Sequence, residues 1–206
     1  MRCLSGCLFA LTLFSAPALA QDVMITPELT AKQVTINGET ITIAREQNPD
    51  ARISDEFAKT ARACPPFCVH PMSAGTGVET LGELEVMDFL EARVANGKGL
   101  LIDSRLPEWF EKGSIPGAIN VPFATVEDSN PYRDQILEAL GAVKLGESWN
   151  YDGAMELALF CNGAWCDQSP RAIQSLMSAG YPAAKLKYYR GGMQSWVSLG
   201  LTVKKP

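Results

Sequence analysis

The stretch ELALFCNGAWCDQSPRAIQSLMSAG, residues 156–180, joins an apolar run to an amphipathic one through a short loop. ELALFC has the length and composition of a buried strand, and it ends at Cys161. Ser169 and Pro170 mark the start of a helix, and Gly180 marks its end. Consecutive parallel strands need such a helical crossover. This stretch therefore predicts one strand and one helix of a parallel α/β sheet.

The same alternation of strand and helix extends over most of the chain. Three further apolar strands are predicted, at GLLID (99–103), AINVPF (118–123) and KLKYY (185–189). Helices are expected from Thr80, from Asn130 and from Gly191, each ending near a glycine or a polar turn. Strands alternating with helices imply an α/β fold with a central parallel sheet and helices on both faces.

The residues before this region have a different pattern. QVTINGETITIA (33–44) alternates apolar and polar residues on both sides of Asn37-Gly38, which is a strong signal for a β-hairpin. CPPFCVHPMSAGTG (64–77) is rich in proline and glycine and is interpreted as a linker. We therefore expect an N-terminal extension over residues 21–75, with a Cys-Pro-Pro-Phe-Cys linker, and one domain over residues 76–206.

The first twenty residues resemble a cleavable secretory signal. Arg2 precedes an apolar run over residues 8–14, and Ala18-Leu19-Ala20 forms a small-x-small cleavage pattern. The apolar run is too short to span a bilayer. We expect residues 1–20 to be a signal peptide, and the mature protein to be periplasmic and without a membrane span.

The charge of the chain limits its partners. The formal net charge is −5, and no cluster of basic residues occurs. Nucleic acid and anionic membrane surfaces are therefore not expected as partners.

Four cysteines remain after residue 20: Cys64, Cys68, Cys161 and Cys166. In an oxidising compartment they allow three pairings into two disulfides, and the sequence does not choose among them. The spacing of Cys64 and Cys68 fits neither a thioredoxin-type pair nor haem attachment. A structural disulfide, within the segment or to the Cys161 loop, is one interpretation. Exchange of sulfur or electrons with Cys161 is another.

Cys161 follows a strand at the sheet edge where parallel folds bind ligands. Amide N–H groups of the next loop, with a helix N-terminus behind them, form an anion site and stabilise a thiolate. His70 is the only histidine, so a Cys–His pair built on another histidine is excluded. Two alternatives remain. One is a small Cys161–Cys166 disulfide, and the other is a metal site, for which Asp167 and two cysteines supply too few ligands.

Three motifs in order resemble the rhodanese-like domain family. The first signature of the family is similar to LIDSRLPEWFEKGSIPGAINVPF (101–123). Its catalytic strand and loop are similar to ALFC and the glycine-containing loop that follows. Its closing signature is similar to YYRGGMQSWVSLGLTV. The resemblance covers roughly residues 78–206. The matching positions are Asp103, Arg105, Gly113, Ile115, Pro116, Gly117, Ala118, Pro122, Gly191, Gly192, Trp196 and Gly200.

The resemblance implies a sulfurtransferase that needs no cofactor. Cys161 would take a sulfane sulfur from a small-molecule donor such as thiosulfate, hold it as a persulfide, and pass it to a thiol or cyanide. By the same resemblance, Asp103 and Arg105 are structural near the site; a surface ion pair is the alternative. The loop expected to bind the sulfur consists of Asn162, Gly163, Ala164, Trp165, Cys166, Asp167 and Gln168.

The loop departs from the family pattern. Cys161 and Ser169 are two positions further apart than is usual, and Gln168 replaces the arginine that often precedes this serine. The pocket is therefore wider and less cationic, which leaves the use of thiosulfate open. Arg171 can replace the missing charge, and a phosphatase or arsenate reductase is the corresponding alternative function.

Cys166 allows two interpretations. It resolves or protects the Cys161 persulfide, or it only packs or pairs with Cys64 or Cys68. A second hypothesis for the whole chain is a non-catalytic sulfur carrier or redox-sensing module. Such a module would work with a partner such as a periplasmic redox protein.

Overall fold

A five-stranded parallel sheet organises the protein. The structure is a computed structural model that describes residues 22–206, so the predicted signal peptide lies outside the described residues. The strands of this sheet lie in the order β3-β9-β8-β4-β5. Their bounds are β3 Glu79–Leu81, β4 Gly99–Asp103, β5 Ala118–Asn120, β8 Glu156–Phe160 and β9 Leu186–Tyr189. The predicted parallel α/β sheet is confirmed.

Helices cover both faces of this sheet. They are α1 Asp55–Ala58, α2 Glu83–Phe89, α3 Pro107–Phe110, α4 Arg133–Ala139, α5 Gln168–Ser178 and α6 Gly192–Ser198. A π-helical turn, Leu90–Val94, continues α2, and 3-10 turns occupy Phe123–Val126 and Ala183–Lys185. A small antiparallel pair, β6 Val143–Leu145 and β7 Ser148–Asn150, completes the described elements.

Two apolar clusters hold the layers together. On one face, Leu137 of α4 and Ile173 of α5 pack against Leu159 of the central strand β8. On the other face, α2 and α6 pack against Phe160, and Trp196 is fully buried there. Because both faces of β8 are covered, its last four residues are all apolar, as expected for a central strand of a parallel sheet.

The predicted N-terminal hairpin is confirmed and belongs to the second cluster. Its strands are β1 Ala31–Ile36 and β2 Glu39–Ala44. Asn37 and Gly38 join them with φ angles of 51° and 82°, the conformation that a two-residue hairpin turn requires. Val34 and Ile43 point into the same core as α2 and α6. The extension therefore packs on the sheet rather than standing apart from it.

Three predicted helix starts are corrected, one of them at α4, which begins at Arg133 rather than at Asn130. Helix α5 begins at Gln168 after Asp167, so Ser169 lies inside the first turn and does not cap it. Thr80 lies in β3 rather than opening a helix. Helix α2 begins at Glu83, where the Glu85 carboxylate accepts a hydrogen bond from the Gly82 amide at 3.0 Å.

Residues 54–72, which we call the strap, follow the hairpin and pack on the Cys161 loop. The Gln194 side-chain amide donates a hydrogen bond to the Phe57 carbonyl (3.0 Å), and the His70 amide donates one to the Ala164 carbonyl (2.9 Å). Arg190 donates to the carbonyls of His70 and Pro71. The segment predicted as a linker is therefore packed, because its main chain finds partners on the domain.

Candidate active site

Cys161 is the first residue after the central strand β8, and it is 2% exposed. Helix α6 begins directly against it. The amides of Met193 and Gln194 donate hydrogen bonds to the carbonyls of Cys161 (3.0 Å) and Asn162 (2.9 Å). Gly192 has φ +55°, and a Cβ there would lie 2.3 Å from the Cys161 carbonyl oxygen. Only glycine therefore lets α6 approach the loop and fix the backbone of Cys161.

The surroundings of the Cys161 sulfur favour its ionised form. Burial, the largest single influence, raises the pKa of the thiol, but hydrogen bonds outweigh it and the pKa is lowered overall. The donors are the Cys166 thiol, the Ser169 hydroxyl and amide, and the Gly163 amide. As a neutral thiol, Cys161 instead donates to the Cys166 carbonyl at 3.3 Å. Four donors against one acceptor explain why the thiolate is preferred.

Cys166 lies beside Cys161 and has the opposite tendency. Its hydrogen bond to Cys161, its burial and the charge on Cys161 all raise the pKa of the Cys166 thiol. In the neutral form this thiol lies 3.6 Å from the Gln168 side-chain carbonyl. The two pKa shifts have opposite directions, so Cys161 is the member of the pair favoured as the thiolate and Cys166 the one favoured as its hydrogen-bond donor.

The structure divides the predicted loop amides between the two sulfurs. Gly163 faces Cys161, whereas the amides of Asn162 and Gln168 face Cys166. Sequence reasoning missed Ser169, which supplies both an amide and a hydroxyl to Cys161. The signal for it was present, since the first amides of a helix have no partner within the helix.

The remaining loop side chains have other contacts. The Trp165 indole donates to the Gln194 side chain at 2.6 Å, and its ring faces the strap. Asp167 is the residue before α5, and its carboxylate lies 4.0 Å from Arg171. Arg171 pairs with Glu127 at 2.5 Å. Its guanidinium also lies over the Phe123 ring. The charge expected to replace the missing loop arginine is therefore neutralised by an acid.

Asp103 and Arg105 form a buried ion pair next to the loop, not a surface one. Their side chains are 0% and 1% exposed and 2.5 Å apart. Arg105 also donates to the Asn162 side chain at 3.3 Å and to the Gly113 carbonyl at 2.8 Å. Ser114 donates to Asp103 at 2.6 Å. The pair thus connects the end of β4 to Asn162, the residue after Cys161.

The cysteine pairing is resolved in the structure. Cys64 and Cys68 form a disulfide within the strap, and Cys161 and Cys166 are free thiols. The alternatives of a Cys161–Cys166 disulfide and of a bond from Cys166 to the strap are therefore not adopted. Over residues 22–206, no group of three or more metal-ligating side chains is placed to hold an ion. Within the same residues, no helix has the length and apolarity needed to cross a bilayer.

The strap covers the outside of the Cys161 loop through Trp165. The guanidinium carbon of Arg62 lies 3.6 Å from the Trp165 ring centroid. The Phe67 ring meets the same indole edge-on, with centroids 5.6 Å apart.

A cavity of about 960 Å³ lies between the extension and the domain, with Arg105 and Met193 in its wall. Both residues contact the loop backbone or side chains, so this cavity borders the site from the other side.

Several known proteins resemble part of this chain. An HTH-type transcriptional regulator of Mycobacterium tuberculosis is 31% identical over 107 residues, which is 52% of this chain. This chain spans only 38% of the length of that relative. A human single-domain sulfurtransferase structure is 25% identical, with TM-score 0.40, covering 60% of this chain and 97% of that chain.

Two further solved structures were found. A thiosulfate sulfurtransferase from Pseudomonas aeruginosa is 22% identical, with TM-score 0.43, covering 62% of this chain and 20% of that chain. A protein of unknown function from Rhodopseudomonas palustris, described as a possible tyrosine phosphatase, is 18% identical, with TM-score 0.45, covering 64% and 88%.

The family model for the rhodanese-like domain matches residues 86–199. The match spans more than half of the chain and contains the central strand β8, the Cys161 loop, Gly192 and the Asp103–Arg105 pair. This protein belongs to the rhodanese-like domain family.

Proposed function

We propose that this protein is a sulfurtransferase that carries sulfane sulfur on Cys161 as a persulfide. The observation that carries the proposal is the set of donors around a single buried sulfur. Gly163 and Ser169 direct hydrogen bonds at Cys161 and lower its pKa. A thiolate is the nucleophile that such chemistry needs, and a persulfide anion in its place uses the same donors. Membership of the rhodanese-like family supports the assignment.

The reaction has two displacement steps. In the first, the Cys161 thiolate attacks the outer sulfur of the donor. A new sulfur–sulfur bond forms, the bond within the donor breaks, and the electron pair leaves with the rest of the donor. In the second, an acceptor thiolate attacks the outer sulfur of the persulfide, and Cys161 leaves as a thiolate. No base is needed, because the hydrogen bonds already stabilise the charged sulfur.

The charges near the loop favour a particular class of donor. Arg171 is paired with Glu127, and the position before Ser169 is Gln168 rather than a cation. A dianion such as thiosulfate, whose two charges lie on the group that reacts, gains little from this environment, whereas the persulfide group of a low-molecular-weight thiol carries a single charge. We therefore propose a thiol persulfide as the preferred donor and a thiol as the acceptor, in a protein that acts in the periplasm. A phosphatase needs a cation that binds the phosphate, and Arg171, which is paired with Glu127, does not supply one.

The test is transfer by the purified protein, with intact-mass measurement. It is given thiosulfate with cyanide in one assay, and glutathione persulfide with a thiol acceptor in another. We expect one added sulfur atom on Cys161 and a higher kcat/KM with the persulfide donor. Cys161→Ser should lose all transfer, and Cys166→Ser should retain it. If activity survives in Cys161→Ser and disappears in Cys166→Ser, the nucleophile is assigned to the wrong residue.

The contact between the two thiols favours one second candidate, a redox-sensing module. Cys166 donates its hydrogen bond to Cys161, so its sulfur is placed to attack a persulfide there. Attack on the inner sulfur forms a Cys161–Cys166 disulfide and releases the outer sulfur as hydrogen sulfide. Intact mass separates the two functions. The sensor loses two hydrogen atoms after donor treatment, whereas the transferase gains a sulfur.

A further inference from the structure

The strap carries a disulfide whose position suggests more than a structural link. Cys64 is exposed and Cys68 is partly exposed, and only Pro65, Pro66 and Phe67 lie between them. The free thiols of Cys161 and Cys166, by contrast, are buried. The Cys64–Cys68 disulfide is thus accessible from solvent, whereas the thiols of Cys161 and Cys166 are not.

The segment immediately around this disulfide is apolar and contains no acidic residue. Phe67, Val69 and Met72 are 43%, 82% and 66% exposed, although each is a large apolar side chain. No acidic residue occurs over residues 57–78 in a chain whose net charge is −5, whereas Arg62 lies two residues before the disulfide. Positive charge favours thiolates that approach or leave a disulfide. An exposed apolar patch of this kind marks a protein contact surface.

The same segment is the outer cover of the Cys161 loop. Phe67, inside the disulfide ring, meets Trp165 at 5.6 Å, and Arg62 lies over the same indole at 3.6 Å. Because the disulfide closes a very short ring, it restricts where Phe67 can go. Cleavage of the disulfide lets Phe67 and the strap move more freely. Apart from the contacts with Trp165, few hydrogen bonds join the strap to the loop.

We propose that the Cys64–Cys68 disulfide is a redox site for a dithiol protein partner, and that its reduction uncovers Cys161. A partner thiolate attacks one sulfur of the disulfide, forming a mixed disulfide and releasing the other as a thiolate. The second thiol of the partner then attacks the mixed disulfide. Cys64 and Cys68 become thiols, the partner becomes a disulfide, and two electrons and two protons have moved to the strap. The proposal needs Cys161 only as a thiol, so it goes beyond the proposed function and does not depend on it.

The first part of the test measures how fast iodoacetamide labels Cys161 in the full-length mature protein, read by peptide mapping. Reduction of the strap should increase the rate by at least about tenfold, which corresponds to a local opening that costs about 1.4 kcal/mol less. Phe67→Ala should increase it with the disulfide intact, because the cover of Trp165 is removed. Val69→Ala, at a more exposed position with no described contact to Trp165, is the matched control and should leave the rate unchanged.

The second part identifies the partner class. A thioredoxin-type protein that lacks its resolving cysteine is the probe, and glutathione is the monothiol comparison. The probe should be trapped as a mixed disulfide with Cys64, the more exposed of the two residues, and glutathione should react more slowly. The proposal is overturned if no mixed disulfide forms in the folded protein, or if labelling of Cys161 is the same with the strap oxidised and reduced. Sulfur transfer is not a readout in either part, so a failed transfer assay leaves the result unaffected.

Discussion

At the scale of single residues, the reactivity of Cys161 depends on a balance between burial and a few donors. Burial alone would keep the thiol neutral, and the hydrogen bonds reverse this. The Ser169 hydroxyl is the donor that a mutation can remove most cleanly. It is completely buried and makes no hydrogen bond while Cys161 is a neutral thiol, so it remains available to the Cys161 thiolate, whose formation it favours.

Ser169→Ala should raise the pKa of Cys161, because the thiolate loses one donor while burial is unchanged. A hydrogen bond to a charged group contributes about 1.5–3 kcal/mol, which corresponds to a pKa rise of about one or two. Alkylation of Cys161 as a function of pH measures it, and the reactive form should decrease at neutral pH. Ser178→Ala, an exposed serine at the other end of α5, should leave the profile unchanged. An identical profile in both variants would show that the hydroxyl does not stabilise the thiolate.

The sequence predicted the reactive residue but not its full surroundings. Cys161 stands out because it follows the apolar central strand and precedes a polar loop. Ser169 was interpreted as a helix cap, which would turn its side chain toward its own helix. The helix begins one residue earlier, and this single step changes the role of Ser169 from cap to thiolate donor.

At the scale of elements, the docking of α6 on the loop holds the site in shape. Gly192→Ala would place a Cβ 2.3 Å from the Cys161 carbonyl, and backbone atoms there cannot move aside easily. Gly146 also has a positive φ, but nothing lies within 4 Å of its Cβ position. Gly146→Ala should therefore cost about 1–2 kcal/mol of unfolding free energy from backbone strain alone.

Gly192→Ala should cost that amount plus about 1–3 kcal/mol from overpacking. Urea unfolding measures the difference between the two variants, which isolates the contact with the loop from the positive φ that both positions share. Equal destabilisation would mean that α6 shifts away without loss and does not fix the loop.

The hairpin contributes a second testable contact. Ile43 of β2 is fully buried in the core shared with α2 and α6. Ile43→Ala should lower the free energy of unfolding by about 2–5 kcal/mol, the usual cost of such a cavity. Thr42→Ala, on the solvent face of the same strand, should change it by less than about 0.5 kcal/mol. A small effect of Ile43→Ala would indicate that the hairpin core is dispensable.

The elements that the sequence missed are short and stabilised by distant partners. β3 has three residues, and it exists because Glu79, Thr80 and Leu81 pair with β9. Nothing local distinguishes it from a helix start, so Thr80 was assigned to the next helix. Residues 64–77, which overlap the second half of the strap, are predicted as a linker for the same reason, since their proline-rich composition does not reveal the contact of Phe67 with Trp165.

At the scale of the whole molecule, the extension and the domain share one core. Val34 and Ile43 lie in the same cluster as Trp196, and the Thr202 amide donates to the Ala44 carbonyl at 3.0 Å. The family match begins at residue 86, so the hairpin is an addition that this chain uses to cover one face of the family sheet. The strap, held by fewer contacts, is the part that can open without disturbing that core.

This division predicts two levels of protection in amide hydrogen exchange. Amides that pair β1 with β2 should exchange only through global unfolding, at the same free energy as the amides of the central strand β8, because both belong to one cluster. The amide of His70, bonded to Ala164, should exchange at a lower free energy, and reduction of Cys64–Cys68 should lower it further. If the β1–β2 amides instead exchange well before those of β8, the hairpin unfolds independently and contributes little to the stability of the sheet that it covers.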